Sequence, residues 1–189
     1  MQELVNLAQD IQAFIESQRW EFCFIGGLAL QRWGEQRFTR DVDLTILTDF
    51  GNEESFIDVF LSRYSSRVPN MKAFAIQNRV LLLLSNENIP FDISLGGMNF
   101  EKSMVQRSSL CEYSDGIFLR TCSAEDLIVM KAFADRDRDW IDIQGILIRQ
   151  QNKLDWDYVI TQLTPLCQCK ENPEILSKLQ KLRQKTTLR

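Results

Sequence analysis

The chain has 189 residues, of which 44% are hydrophobic and 25% charged, a composition typical of a globular domain that can bury a core. It contains no histidine, which excludes Ser-His-Asp and Cys-His catalysis as well as metal sites with imidazole ligands. Its five cysteines include no Cys-x-x-Cys pair, and a formal net charge of −4 argues against sequence-independent binding to nucleic acid.

The first segment is typical of a helix rather than of a secretory signal. Apolar residues from Leu4 to Ile15 recur at helical spacing, so residues 2–18 are expected to form an amphipathic helix. The longest apolar run, Val80 to Leu84, is too short to cross a bilayer. We therefore expect a cytoplasmic protein with no membrane partner.

A strand, a glycine turn and a helix follow in order. Phe22 to Ile25 is a short apolar run that leads into Gly26-Gly27 and then into a helix-forming stretch that ends at Gly34. Further on, Val42, Leu44 and Ile46 alternate with Asp41, Asp43 and Thr45. This alternation predicts a half-buried strand whose polar face carries two carboxylates.

The middle of the chain is predicted to be mixed α and β. Residues 53–63 favour a helix, whereas residues 72–76, 79–84 and 91–95 favour three strands. The first two of these strands are predicted to be joined by a tight turn at Gln77-Asn78.

After Gly116 the pattern becomes helical. Ser123-Ala-Glu-Asp126 is expected to start a helix that runs through Phe133, and a second helix is expected around Trp140 to Arg149. Pro165 and Pro173 are expected to separate two further helical segments. We therefore predict a mixed α/β core over residues 1–120 and a helical subdomain over residues 121–189 that packs on this core.

Three features in order point to metal and phosphate chemistry. Carboxylates at Asp41 and Asp43 would project from one face of a strand, about 6 to 7 Å apart, and Asp92 on a neighbouring strand would complete an acidic cluster. Such charges repel one another unless a hard cation lies between them. Gly26-Gly27 before a helix N-terminus leaves room for an anion to approach the backbone. Together they indicate phosphoryl or nucleotidyl transfer.

Four segments of the chain carry a family resemblance: Phe24-Ile-Gly-Gly-Leu-Ala29, Arg37-Phe-Thr-Arg-Asp-Val-Asp-Leu44, Pro90-Phe-Asp-Ile93, and Asp126-Leu-Ile-Val-Met-Lys-Ala132 with Arg136 and Asp139. They resemble the nucleotidyltransferase superfamily of polymerase-beta-like fold, and in particular the minimal nucleotidyltransferases of the AbiEii/AbiGii toxin type. The resemblance implies an α/β (α+β) core with a small mixed sheet and a C-terminal helical part. It also implies Mg²⁺-dependent transfer of a nucleoside monophosphate from an NTP, such as ATP, to an acceptor hydroxyl.

The resemblance also implies roles for individual residues. Asp41, Asp43 and Asp92 match the acids that bind Mg²⁺ or Mn²⁺ and act in catalysis. Nucleotide binding would fall to the Gly26-Gly27 turn together with two basic residues, Arg40 and Lys131. Many similar proteins have Gly-Ser where this chain has Gly26-Gly27, so position 27 offers no hydroxyl to the phosphates.

Simpler interpretations of the same residues stay open. Asp41 and Asp43 are also compatible with the solvent face of an edge strand, and Gly26-Gly27 with an ordinary tight turn. Lys131 lies in an apolar helix from which a lysine commonly reaches water. The alternative functions are a non-catalytic partner-binding protein, such as one half of a toxin–antitoxin pair with a cognate partner, and a Mg²⁺ nuclease. The sequence does not identify the acceptor, which could be a small molecule, a protein side chain or a tRNA end.

Overall fold

The protein is described here by a computed structural model that covers residues 2–35 and 37–187. Its contacts divide the chain into two compact units. The first unit contains the chain up to Leu28 and Phe38–Cys122, and it carries the β-sheet. The second unit contains Ala29–Arg37 and the chain from Ser123 onward, and it is helical. The sequence predicts a change near residue 120, and one junction between the units lies at Cys122 and Ser123.

The first unit is built from strands and helices that follow one another along the chain. Its strands are β1 (Phe22–Phe24), β2 (Val42–Leu47), β3 (Ser65–Ser66), β4 (Val80–Leu84), β5 (Pro90–Gly96), β6 (Ser109–Ser114) and β7 (Ile117–Thr121). Its helices are α1 (Gln2–Ser17), the start of α2 (Gly26–Trp33), α3 (Glu53–Arg63), α4 (Met71–Asn78) and α5 (Asn99–Arg107).

The strands form one mixed sheet in the order β3-β4-β5-β2-β1-β7-β6. Strand β2 therefore lies at the centre, antiparallel to β1 and parallel to β5. The expectation of a mixed α/β fold with a small mixed sheet is confirmed. The alternative that Asp41 and Asp43 belong to an edge strand is wrong, because β2 has a neighbour on both sides.

One face of the sheet is covered by α1, α3 and α4, and this face holds the hydrophobic core. Successive residues of a strand point to opposite faces, so the residues of β2 that join the hydrophobic core are every second one: Val42, Leu44 and Ile46. Helix α1 contributes apolar side chains at helical spacing, as its sequence predicts, among them Leu4, Ile11 and Ile15. The polar residues of β2 consequently lie on the other face.

The predicted strand over residues 72–76 is wrong, because these residues belong to helix α4. Lys72-Ala-Phe-Ala-Ile76 alternates as a strand would, but the buried residues are Met71 and Ala75, one helical turn apart. The predicted turn at Gln77-Asn78 is also wrong. The helix instead runs to Asn78, and the left-handed backbone of the next residue, Arg79 (φ 53°), turns the chain into β4.

The second unit consists of α6 (Ala124–Ala134), α7 (Asp137–Gln150), α8 (Trp156–Cys169) and α9 (Glu174–Thr187), with the latter part of α2. The predicted start of α6 is confirmed, since the hydroxyl of Ser123 accepts a hydrogen bond from the amide of Asp126 at 3.1 Å. Pro165 does not separate two segments as predicted but lies inside α8.

In the part of the chain that the structure describes, we find no helix of the length and apolar character needed to span a membrane.

Candidate functional site

The acidic residues predicted as a cluster lie on the face of the sheet opposite the core. Asp43 of β2 is paired in register with Asp92 of the neighbouring parallel strand β5. Asp41 immediately precedes β2, two residues before Asp43, and its charge acts on Asp92. The expectation that Asp92 comes from a neighbouring strand is confirmed. All three residues are partly exposed, so ions or ligands can reach them.

The start of helix α2 is placed directly against Asp43. The amide of Ile25 donates to the backbone carbonyl of Asp43 at 2.9 Å, which fixes the chain just before the helix. Gly26 has a left-handed backbone (φ +54°), and a Cβ there would lie 2.7 Å from Cγ of Asp43 and would overlap its Oδ2. Only glycine therefore fits this position without moving the carboxylate. The helix N-terminus and an acidic side chain thus share one small region.

The second glycine of the pair makes room for a threonine. A Cβ at Gly27 would lie 2.7 Å from Cβ of Thr39 and would also overlap the Thr39 hydroxyl. That hydroxyl donates to Oδ1 of Asp41 at 2.9 Å, and Thr39 is only 4% exposed. The space that a serine side chain would need at position 27 is thus filled by a side chain that orients Asp41.

Asp92 is paired with an arginine that the sequence does not single out. The guanidinium of Arg67, in the segment after β3, makes an ion pair with Oδ1 of Asp92. Burial raises the pKa of Asp92, the charge and hydrogen bond of Arg67 act in the opposite direction, and the charge of Asp41 raises the pKa further. The net shift is upward, which shows that Arg67 only partly compensates for the burial and the neighbouring acid.

The acids have the chemistry of a divalent-metal site. Carboxylate oxygens are the ligands that Mg²⁺ and Mn²⁺ prefer, and Asp43 lies against the bare backbone of Gly26. Within residues 2–35 and 37–187, however, no three Cys, Asp or Glu side chains already converge as a metal site. The types of donor atom fit a divalent metal, while Asp92 is paired with Arg67 in this structure.

Lys131 belongs to the second unit, where it is part of a charged cluster. Its ammonium lies 2.6 Å from Oδ2 of Asp142 and 3.2 Å from Oδ1 of Asp139, and Lys131 is only 6% exposed. Arg37 also pairs with Asp142 at 3.1 Å, and Arg136 with Asp139 at 2.6 Å. The alternative that Lys131 reaches water is wrong, whereas its binding of a nucleotide stays a prediction.

The electrostatics of this cluster favour the charged form of Asp139. Burial by itself raises the pKa of Asp139, but the hydrogen bonds and charges of Arg136 and Lys131 outweigh it and lower the pKa overall. The cluster therefore stabilises the helical unit when it is ionised.

Arg40, the other basic residue predicted to bind nucleotide, is exposed. Its guanidinium lies 6.0 Å from the ring centre of Phe38, which is itself 67% exposed. Its role stays a prediction.

Sequence reasoning missed two residues at this site. Thr39 lies two residues before Asp41 within the Arg-x-Thr-x-Asp-x-Asp segment, so its position in that pattern could have identified it. No local signal identifies Arg67, because its pairing with Asp92 depends on how β3, β4 and β5 align.

Solved structures of other proteins are similar to this chain, and the first of them supports the fold. An antigenic nucleotidyltransferase-like protein from Paracoccidioides brasiliensis is similar with a TM-score of 0.54 and 16% identity, over 95% of this chain and 93% of that protein. The lincosamide antibiotic adenylyltransferase LnuA, solved with lincomycin, gives 0.48 and 18% identity over 72% and 91% of the two chains. ANT(2'')-Ia in complex with adenylyl-2''-tobramycin gives 0.47 and 16% identity over 96% and 97%. A search of curated proteins found no match.

Comparison with protein families gives a match over nearly the whole chain. Residues 2–184 match the family described as "Nucleotidyltransferase of unknown function (DUF6036)". The matched range includes the glycine turn, all three acids and most of the helical unit. The expected superfamily is thereby confirmed, while the closer resemblance to the AbiEii/AbiGii toxin type stays a prediction. This chain belongs to the DUF6036 family of nucleotidyltransferases.

Proposed function

We propose that the protein transfers a nucleoside monophosphate from an NTP to an acceptor hydroxyl and releases pyrophosphate, with Mg²⁺ or Mn²⁺ as cofactor. The observation that carries this proposal is the position of Asp43, in register with Asp92 and in contact with the bare backbone of Gly26 at the start of α2. This arrangement combines cation ligands with a helix N-terminus that attracts anions. Membership of a nucleotidyltransferase family supports the general class of reaction.

The glycine turn would bind the triphosphate. Gly26 and Gly27 add no side chain of their own at the helix N-terminus, where Asp43 and Thr39 pack against them, and the positive end of the helix dipole favours negative charge there. Gly26 also lets the Asp43 carboxylate lie against the backbone, which places the acid beside the turn. Arg40, which is exposed, is proposed as a further nucleotide contact through its positive charge.

The three acids would hold the metal ions. When bound, Mg²⁺ lowers the pKa of the acceptor hydroxyl and neutralises charge on the leaving pyrophosphate. Asp41, just before β2, and Asp43, within it, are proposed to bind the metal that accompanies the triphosphate. Asp92, on the other strand, is proposed to serve mainly the acceptor side. Thr39 keeps Asp41 oriented through its 2.9 Å hydrogen bond.

The roles of the acids can be separated with asparagine variants, which keep the side-chain shape but remove the charge. Asp41→Asn and Asp43→Asn are expected to weaken binding of the metal–nucleotide complex as well as turnover. Asp92→Asn is expected to leave nucleotide binding largely intact while turnover falls about a hundredfold or more.

The reaction itself is tested by mass spectrometry of acceptors. The protein is incubated with each NTP and Mg²⁺ or Mn²⁺ together with small hydroxylated molecules, proteins or tRNA. We expect one acceptor class to gain the mass of a nucleoside monophosphate with wild type and with Asp58→Asn, a control on α3 that removes an acid paired with Lys72. Asp43→Asn should give no product. Equal product from Asp43→Asn would refute the mechanism.

One observation favours the alternative of a non-catalytic, partner-binding protein. Arg67 is paired with Asp92, so this acid has a counter-ion without any metal. On this alternative, neither NTP nor metal would raise the melting temperature, and the protein would bind a partner through the same fold.

The resemblance to AbiEii/AbiGii proteins extends the proposal to a toxin–antitoxin role with a cognate partner protein. Expression of the wild-type chain in bacterial cells should then arrest growth, whereas Asp43→Asn should not. Arrest by both proteins, or by neither, would argue against this role.

A further inference from the structure

Arg67 continues the row of side chains that contains the acids. Its amide donates to the carbonyl of Leu82 at 2.9 Å, which extends the pairing of β3 with β4 by one residue. Leu82 is paired with Asp92, and Asp92 with Asp43. Residues paired across neighbouring strands point to the same face of a sheet. Arg67, Asp92 and Asp43 therefore lie in one row on one face.

The distance across this row suits the ion pair. Neighbouring strands are about 4.8 Å apart, so the backbones of Arg67 and Asp92 are separated by about two such spacings. The arginine side chain spans this distance over Leu82 and reaches Oδ1 of Asp92. The position of Arg67 in the sheet, rather than a chance rotamer of a surface side chain, therefore brings its charge to the acid.

The ion pair is accessible enough to be exchanged. The side chains of Arg67 and Asp92 are each 31% exposed. Ion pairs with this degree of access to water contribute little to stability and are readily replaced. A divalent cation carries twice the charge of a guanidinium and would use the same carboxylate oxygens. Arginine and metal consequently compete for Asp92.

We propose that Arg67 is the built-in counter-ion of Asp92, and that it must release this carboxylate before a divalent metal can bind there. Arg67 thus sets the metal affinity of the site; this inference rests on the metal-dependent function proposed above. It also explains why Asp92 contacts Arg67 although Asp92 is paired in register with Asp43.

The inference is tested by titrating Mn²⁺ into the full-length protein without nucleotide and measuring free Mn²⁺ by electron paramagnetic resonance. Arg67→Gln should bind Mn²⁺ about fivefold more tightly than wild type, because it removes both the competing ion pair and a positive charge near the ion. Arg67→Lys keeps the charge and should lie between the two. The control is Arg63→Gln, which removes an equal charge from a guanidinium stacked on Phe14, and its affinity should equal that of wild type.

Melting temperature gives a second measurement on the same variants. Without metal, Arg67→Gln should melt at a lower temperature than wild type, since Asp41, Asp43 and Asp92 then repel without a counter-ion. Saturating Mn²⁺ should raise its melting temperature more than that of wild type.

The outcomes separate this inference from the proposed function. Binding of Mn²⁺ by wild type with equal or weaker affinity in Arg67→Gln would overturn the competition and leave the metal site standing. Binding by Arg67→Gln alone would support the competition and indicate that wild type is not metal-dependent. Absence of binding in all variants would reject both the metal site and the role of Arg67.

Discussion

Replacing Gly26 by alanine tests whether the glycine turn holds Asp43 in place. Two costs add in the folded state. A left-handed backbone (φ +54°) costs alanine about 1–2 kcal/mol relative to glycine. The new Cβ would also lie 2.7 Å from Cγ of Asp43, where ordinary contacts begin near 3.4 Å, so the carboxylate must leave its rotamer at a further cost of about 0.5–1.5 kcal/mol.

Gly116→Ala provides the matched control. Gly116 also has a positive φ (+76°), but a Cβ there would meet no atom within 4 Å. Gly116→Ala should therefore lose only the unfolding free energy that a left-handed backbone costs alanine, about 1–2 kcal/mol. Its affinity for Mn²⁺ and nucleotide should equal that of wild type.

Urea denaturation and Mn²⁺ titration of both variants separate the cost of the left-handed backbone from the effect of displacing Asp43. Gly26→Ala should lose about 1.5–3.5 kcal/mol of unfolding free energy, and its metal affinity should fall because Asp43 is displaced. A Gly26→Ala protein that matches Gly116→Ala in stability and wild type in Mn²⁺ affinity would refute the view that the bare backbone of Gly26 positions Asp43.

Three further predictions concern buried polar groups. Lys131→Met should lose about 3–5 kcal/mol of unfolding free energy, because it leaves two buried carboxylates without their lysine partner. Lys178→Met, at a half-exposed side chain, should lose at most about 1 kcal/mol. Equal losses of the two variants in urea denaturation would contradict this prediction. Thr45→Val should stabilise the protein by up to about 1 kcal/mol, since the buried Thr45 hydroxyl has no hydrogen-bond partner among the described residues, and a loss of stability would show that it does form such a bond. Because the folded-state pKa of Asp139 is lowered, its contribution to stability is present above its unfolded pKa of about 3.9 and is lost as pH falls through the folded value. Removing the main hydrogen-bonding partner in Arg136→Gln should move the midpoint of acid unfolding to higher pH, as measured by circular dichroism, and an unchanged midpoint would exclude this linkage.

Elements with a strong local signal could be predicted from the sequence. The alternation around Val42 and the apolar run before Gly26-Gly27 identify β2, β1 and the start of α2, because side-chain direction follows directly from the period of two in a strand. The same reasoning placed Asp92 on a neighbouring strand.

Features that depend on tertiary packing could not be predicted in this way. Over five residues, Lys72 to Ile76 satisfies a strand pattern, and only the packing of Met71 and Ala75 into the core selects the helix. The sequence shows that position 27 is not a serine, but only the structure shows that Thr39 fills the space that a serine side chain would need. Arg67 reaches Asp92 through the register of three strands, two of them separated by α4.

The central claim is that Asp43 and its neighbours bind a metal–nucleotide complex. Isothermal titration calorimetry with Mg²⁺ and a non-hydrolysable NTP tests it most directly, on wild type, Asp43→Asn and the control Asp58→Asn. We expect wild type and Asp58→Asn to bind the nucleotide only when Mg²⁺ is present, and Asp43→Asn to bind at least about tenfold more weakly, a difference of about 1.4 kcal/mol. Binding of equal strength by Asp43→Asn, or no binding of any NTP by wild type, would contradict the claim.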